Sequence, residues 1–497
     1  MIDWTIYLPF IGMIFLLAFC RENKNISRWV TFSVCLACLL ITCLHICSAY
    51  TSDDTCHHVI RNFTCVSSLG IHFTLGIDGI RQIYLLLAGI ISGAGVLIFW
   101  EQNERPRNFD TFYLCLLGGI YGLLLSIDLF LFFVFLQIIF ISQYVLIIQS
   151  DYYEKYLKFK LAATFLLASI VTAIVFLCTY IQAGKNTFDL YEIANAGLPK
   201  SFQNWAFPLS CLGFAILGGI WPFHSWLQAY LSSSKTGIYA LITGINVKLG
   251  IFAIYQISIR LFPDGALGWK YPVVILAGTG VIFSGLVALS QKDLRKLITC
   301  ASISQMGIIF IGMMTFSING MKGSIFMAFS HGIIIALLYG IIESIHRRTG
   351  TYDIETLRYL NLYKTMPQGM FVFILGTAIL AGMPLFSHFI GLLYILLGMW
   401  HSLPIMTIFF GIGLLITICY LLITCDRIFC FENKTDISHY IIKRQLSIEL
   451  DPITIVEKLS TYPLLILTFI IGIYPNILLN LISNCISTLE SFPNIWN

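Results

Sequence analysis

Lys248 sits in Gly244-Ile245-Asn246-Val247-Lys248-Leu249-Gly250, near the middle of an otherwise apolar run. A charge at that depth in a membrane costs at least about 2.5–3.5 kcal/mol, so a lysine retained there is a functional group by default. Three more polar side chains interrupt apolar runs: Gln137, Gln305 and His331, the last in Ser330-His331-Gly332. A fourth, His224, follows directly on Trp221-Pro222-Phe223. An amine and imidazoles can accept and release protons, whereas the two amides can order water without titrating. That chemistry is proton movement through an apolar medium. Each residue also has a plainer role: a histidine beside unwound backbone can simply pack or cap it, and Asp128, which opens an apolar run, reads first as a helix cap.

The elements that must position these groups are membrane helices. Hydrophobic residues make up 58% of the 497-residue chain and charged residues only 11%, and the mean hydropathy is +0.85. Apolar runs of about 20 residues recur along the chain, which predicts an all-α polytopic membrane protein of about fourteen spans. Two runs are interrupted, one at Trp221-Pro222-Phe223-His224 and one at Gly382-Met383-Pro384-Leu385-Phe386. Proline removes a backbone donor and clashes with the preceding turn, so these are discontinuous helices. Their placement five spans apart points to two inverted five-helix repeats with the polar path near the midplane between them. The expected segments are 1–110 (N-terminal spans), 111–260 and 261–430 (the repeats), and 431–497 (an amphipathic stretch and a last span).

Loop charge sets orientation. Of the 29 Lys/Arg residues, 21 fall in loops on one side and 7 on the other, with Lys248 between them. By the positive-inside rule the rich side, which includes Lys292-Asp293-Leu294-Arg295-Lys296, faces the cytoplasm or matrix, and both termini face the opposite side. Cys56 and Cys65 then lie on the outer face, bridged or as two free thiols. The net charge of +4 is scattered among loops, so no nucleic-acid partner is expected. The first apolar run lacks a basic leader segment and reads as a span. There is no dinucleotide fingerprint, no P-loop and no nucleophile with its base. No Cys/His cluster has the spacing of a zinc or iron–sulfur site, and no cofactor is expected in this chain.

Several stretches together resemble the antiporter-like subunits of respiratory complex I, subunit M (subunit 4 type) in particular. They are Leu75-Gly76-Ile77-Asp78-Gly79-Ile80, Asp128-Leu129-Phe130-Leu131-Phe132, Pro222-Phe223-His224-Ser225-Trp226-Leu227, the charged knot Lys292–Lys296, Ser302-Ile303-Ser304-Gln305-Met306-Gly307, Ser330-His331-Gly332 and Gly472-Ile473-Tyr474-Pro475. They run in family order from about residue 75 to 480, and the proline and charged-knot pieces are shared with Mrp-type antiporters and membrane-bound hydrogenases. The resemblance implies proton translocation driven by quinone reduction on other chains. It also implies a relay: a glutamate in span 5 paired with a lysine in span 7, a lysine in span 8, a histidine in span 11 and an acid in span 12. Lys248 and His331 match that pattern. Gln137 stands at the glutamate, Leu217 at the span-7 lysine, Gln305 at a frequent histidine and Leu392 at the terminal acid.

The missing switch pair is lost as a pair, which avoids stranding one buried charge at about 3–5 kcal/mol. A working relay would need substitutes, and His388, one helical turn before Leu392, is the first candidate, with Tyr394 near it. The resemblance therefore predicts a non-redox subunit of an NADH:quinone oxidoreductase in a cell inner membrane, partnered by other complex I-type membrane subunits, by lipid and by protons. A structural subunit that no longer pumps, and an Mrp-like cation/proton antiporter or hydrogenase membrane subunit, are the alternatives.

Overall fold

The computed structural model describes residues 1–19, 23–51, 58–101, 108–149, 155–231, 237–360, 362–429 and 451–487. The helices used below are α1 (Trp4–Phe19), α2 (Lys24–Thr51), α3 (Gly79–Ile98), α4 (Phe109–Leu125), α5 (Leu129–Ile148), α6 (Lys155–Ala183), α7 (Leu190–Ala194), α8 (Lys200–Leu217) and α9 (Ser225–Leu231). They continue with α10 (Ile238–Ile259), α11 (Pro263–Gly268), α12 (Lys270–Leu289), α13 (Leu294–Met313), α14 (Ile318–Thr349), α15 (Ile354–Tyr359), α16 (Pro367–Leu380), α17 (Ser387–Ser402), α18 (Pro404–Phe429), α19 (Ile455–Ile473) and α20 (Asn476–Ser487). Among the described residues ten helices are long and apolar enough to cross a membrane, and three shorter ones are apolar. The apolar runs gave about fourteen spans. Two of the four others are the short helices α1 and α4, of 16 and 17 residues, and two are the runs cut into half-helices at α8/α9 and α16/α17.

Helices α10, α13 and α14 form the centre, where nearly every residue is buried, while α2, α6 and α18 turn large apolar side chains outward. A helix that is apolar all round belongs in lipid or in a core, and this chain uses both. The polar residues singled out from the sequence lie mainly on the central helices.

One local device occurs twice. Asp128 caps α5 by accepting from the amides of Phe130 (2.8 Å) and Leu131 (3.1 Å), and Asp293 caps α13 by accepting from Arg295 (2.8 Å) and Lys296 (3.4 Å). Each pairs through its backbone with a second capping aspartate, Asp128 with Asp189 ahead of α7 and Asp293 with Asp353 ahead of α15. The expected capping role of Asp128 is therefore what the structure gives it. Burial pushes the Asp128 carboxyl up from its ordinary range, against the backbone amides of Leu131, His72 and Phe130 that hold it down.

Both interruptions are real breaks. Gly219 and Gly382 adopt φ of +55° and +93°, a region glycine enters without a Cβ clash, and Leu385 does so at +75°. The Trp221–Pro222 peptide is cis. Gly250 of α10 lies so close to the first break that a Cβ there would come within 2.5 Å of the Gly218 backbone. This contact seats the Lys248 helix against α8.

One element departs from an all-helical reading. His58–Val66 (β1) and Ile71–Ile77 (β2) form an antiparallel hairpin in a stretch that reads as a loop between spans. Phe63 stacks on Phe73 at 4.8 Å, and the amide of Ile127 donates to the Thr74 carbonyl at 3.0 Å, fastening the hairpin to the α4–α5 turn. Cys65 lies exposed on β1, whereas Cys56 is outside the described residues, as is the amphipathic stretch up to residue 450.

Candidate functional site

Lys248 is fully buried. Two widened turns flank it, a π-helical turn at Ile242–Asn246 and another at Ile254–Ile259. Such turns open the regular backbone ladder and recur at functional positions. Here the Lys248 ammonium donates to the carbonyl of Thr243 inside the first of them. The α10 and α14 backbones then approach at Gly244 and Gly332, where a Cβ on Gly332 would fall 2.6 Å from the Gly244 carbonyl oxygen. That approach brings Lys248 within electrostatic reach of His331 and of His388.

The two histidines form a pair. Their rings lie 6.0 Å apart, centroid to centroid, at 37°, and the preceding serines, Ser330 and Ser387, share a hydrogen bond of 2.7 Å. Both imidazoles are fully buried, and none of their four ring nitrogens has a protein hydrogen-bond partner among the described residues. Buried polar atoms without protein partners are costly unless water satisfies them. Lys248, His331 and His388 are thus brought together at the meeting point of α10, α14 and the half-helix α17.

The remaining predicted residues lie elsewhere. Gln305 is fully buried on α13, and neither amide atom has a hydrogen-bond partner among the described residues. Gln137, half-buried on α5, accepts from the Ser169 hydroxyl at 2.8 Å. Leu217 is buried at the end of α8, so no charge pair forms between positions 137 and 217. His224 caps α9, its carbonyl accepting from the Leu227 amide at 2.9 Å, and among the described residues it makes no contact with the lysine–histidine cluster. Leu392 is a packed apolar residue and Tyr394 is half-buried.

Sequence reasoning missed a buried ion pair. Arg81 and Arg260, counted as loop cations, are buried. Arg81 donates to Asp78 at 2.7 Å, to the Leu124 carbonyl at 2.9 Å and to the Tyr191 hydroxyl at 3.3 Å. Gln256, in the second π turn, donates to the same Asp78 carboxylate at 3.1 Å, and Arg260 lies over the Tyr191 ring at 5.1 Å. The Asp78-x-x-Arg81 spacing at a helix start was the available signal, because residues three apart share a helical face. The Cys35-x-x-Cys38 spacing was also passed over. Both thiols are buried along α2, and among the described residues no group of three or more potential ligands surrounds them.

A family model described as NADH:quinone oxidoreductase/Mrp antiporter, TM, matches residues 126–417, which is more than half of the chain and spans both breaks and all three cluster residues. The chain belongs to this antiporter family. A similar relative is the NADH-quinone oxidoreductase subunit M of Rickettsia prowazekii (strain Madrid E), 26% identical over 488 residues that cover 96% of each chain. The resemblance to subunit M drawn from the motifs therefore holds over nearly the full length. Among solved structures, a chain of the respiratory complex I from Thermus thermophilus with bound NADH superposes with a TM-score of 0.85 at 19% identity, covering 100% of both chains. A chain of the Mrp complex from Dietzia sp. DQ12-45-1b gives 0.85 at 19%, covering 100% of this chain and 99% of that one. At these identities the superpositions establish the fold, a multi-pass membrane architecture that antiporter-family subunits share.

Proposed function

We propose that this chain is a subunit M-like membrane-arm component of an NADH:quinone oxidoreductase, moving protons across the membrane as quinone is reduced on other subunits. The observation that carries the reading is the fully buried cluster of one amine and two imidazoles between the two broken helices. A lysine held by the Thr243 carbonyl can give up its proton and be recharged, and His331 and His388 stand next in line to receive it. Water between the rings would complete the connection. His388 then replaces the acid absent at Leu392, Gln305 orients water, and His224 and Gln137 act at the margins of the first repeat. The redox cofactors belong to partner subunits, and this chain contributes a translocating step rather than electron transfer. Its loop charges support a cell inner membrane with both termini on the non-cytoplasmic side.

A second reading has its own observation. Gln137 and Leu217 leave the first repeat without a titratable pair, which favours a structural subunit that fills the membrane arm. The two separate in sealed vesicles holding the assembled complex in sodium-free buffer. Translocation by this chain requires that His331→Leu and His388→Leu each lower NADH-driven proton uptake at an unchanged NADH oxidation rate. Unchanged uptake in both variants would favour the structural subunit, and uptake that appears only with added sodium would favour cation exchange.

A further inference from the structure

If protons reach Lys248, they do not come by the first repeat's charge pair. Gln137 and Leu217 cannot titrate, and the Gln137 carbonyl oxygen is already engaged by Ser169 on α6. The second repeat offers a different approach, at the end of the bundle that carries the basic loops. There the Arg295 guanidinium lies 3.6 Å above the Tyr352 ring, His346 stacks on the same ring at 3.8 Å, and the Tyr352 hydroxyl donates to the buried Glu343 carboxylate at 3.4 Å. One helical turn deeper, the Thr299 and Tyr339 hydroxyls share a hydrogen bond of 2.9 Å between α13 and α14.

Beyond that bridge, Ser302 and Gln305 follow Thr299 at successive three-residue steps along α13. Asn246 stands two residues before Lys248 on α10. All three are fully buried, and the Ser302 hydroxyl and both amides have no protein hydrogen-bond partner among the described residues. Left dry, each would cost roughly 1–3 kcal/mol. Buried polar groups of this kind are ordinarily satisfied by water.

We propose that this chain takes up protons through its second repeat, from the Glu343–Tyr352 mouth across the Thr299–Tyr339 bridge and along Ser302 and Gln305 to Lys248. The inference rests on the reading that the chain moves protons. At each hydroxyl or water the oxygen accepts one proton and releases another on its far side, so no group changes net charge except the terminal amine, which gains the proton delivered. The route stands in for the missing pair and shares no residue with it.

The test uses the assembled complex in sealed vesicles and compares proton-to-electron ratios at matched electron transfer. The combination Thr299→Val with Tyr339→Phe removes both bridging hydroxyls at nearly constant volume, and is expected to lower the ratio as far as Lys248→Met does. Thr299→Ser keeps a hydroxyl and is expected to hold the native ratio. If the combined variant assembles poorly, Ser302→Ala removes one oxygen deeper in the strip and is read the same way. A native ratio in the hydroxyl-less variants alongside a lowered ratio in Lys248→Met overturns the route and leaves proton movement standing. A loss with Thr299→Ser equal to that of the combined variant also overturns it, since packing rather than the hydroxyl would be responsible. A native ratio in Lys248→Met overturns both the route and the translocation reading.

Discussion

Ser330 and Ser387 hold their hydroxyl oxygens 2.7 Å apart on facing helices, and this contact sets the residue after each, His331 and His388, ring to ring at 6.0 Å. Two Ser-His dipeptides, one from a continuous helix and one from the start of a half-helix, thus meet at the second break. Removing one serine hydroxyl strands the other in a fully buried site, at about 1–3 kcal/mol, whereas removing both can be nearly neutral. Ser330→Ala and Ser387→Ala should each lower the thermal stability of the complex, and the double variant should recover most of it. Additive losses in a double-mutant cycle would show that the two hydroxyls do not interact.

The Asp78–Arg81 pair should respond asymmetrically to substitution. Both side chains are fully buried and bonded at 2.7 Å, so breaking the pair leaves an uncompensated charge worth about 3–5 kcal/mol. Arg81→Met should impair assembly strongly, and Asp78→Asn together with Arg81→Met should assemble better than Arg81→Met alone. Assembly on native gels checks this, and equal defects in the two would refute it.

Glu457 is the hub of a clasp at the basic end of the bundle. It accepts from Arg347 at 2.9 Å and Arg348 at 2.7 Å, and from the Thr454 amide at 2.8 Å in a capping box that starts α19. Exposed pairs are worth about 0–1 kcal/mol, but this carboxylate is buried and fully bonded. Glu457→Ala should therefore raise hydrogen exchange at the start of α19 well above the rise caused by Lys458→Ala. Equal exchange in the two variants would assign the seat of α19 to apolar packing.

The hairpin has a pH-dependent tether. Burial works against ionisation of Asp3, but hydrogen bonds and charge from the amino terminus and Arg61 hold its carboxyl below the ordinary range. A depressed carboxylate stabilises the fold above its unfolded value of about 3.9, and that contribution disappears as pH falls through the lower folded value. Hydrogen exchange in β1 should rise below about pH 4 in the native chain. The Asp3→Asn variant should lack that rise, and a rise of the same size in it would refute the tether.

Much of the path's skeleton was legible because membranes penalise polarity locally. Lys248, His331 and the two proline breaks stand out from their own neighbours in sequence. His388 was legible only indirectly, as the nearest titratable side chain to a missing acid. Arg81 and Arg260 were misread because counting cations by loop assumes that cations near helix ends face water, whereas Asp78 and Tyr191 draw both inward. The Thr299–Tyr339 bridge was not legible at all, because a threonine and a tyrosine on separate apolar helices acquire meaning only when packing brings their hydroxyls within 2.9 Å. The π turns around Lys248 likewise carry no local signal.

The central claim is that this chain conducts protons although its first repeat has lost its charge pair. The most direct test is the proton-to-electron ratio of the complex with Lys248→Met, in sealed vesicles, at matched assembly and electron-transfer rate. The account predicts a lower ratio than in the native complex. An unchanged ratio would contradict it, making this chain a passive element of the membrane arm and assigning translocation to its neighbours.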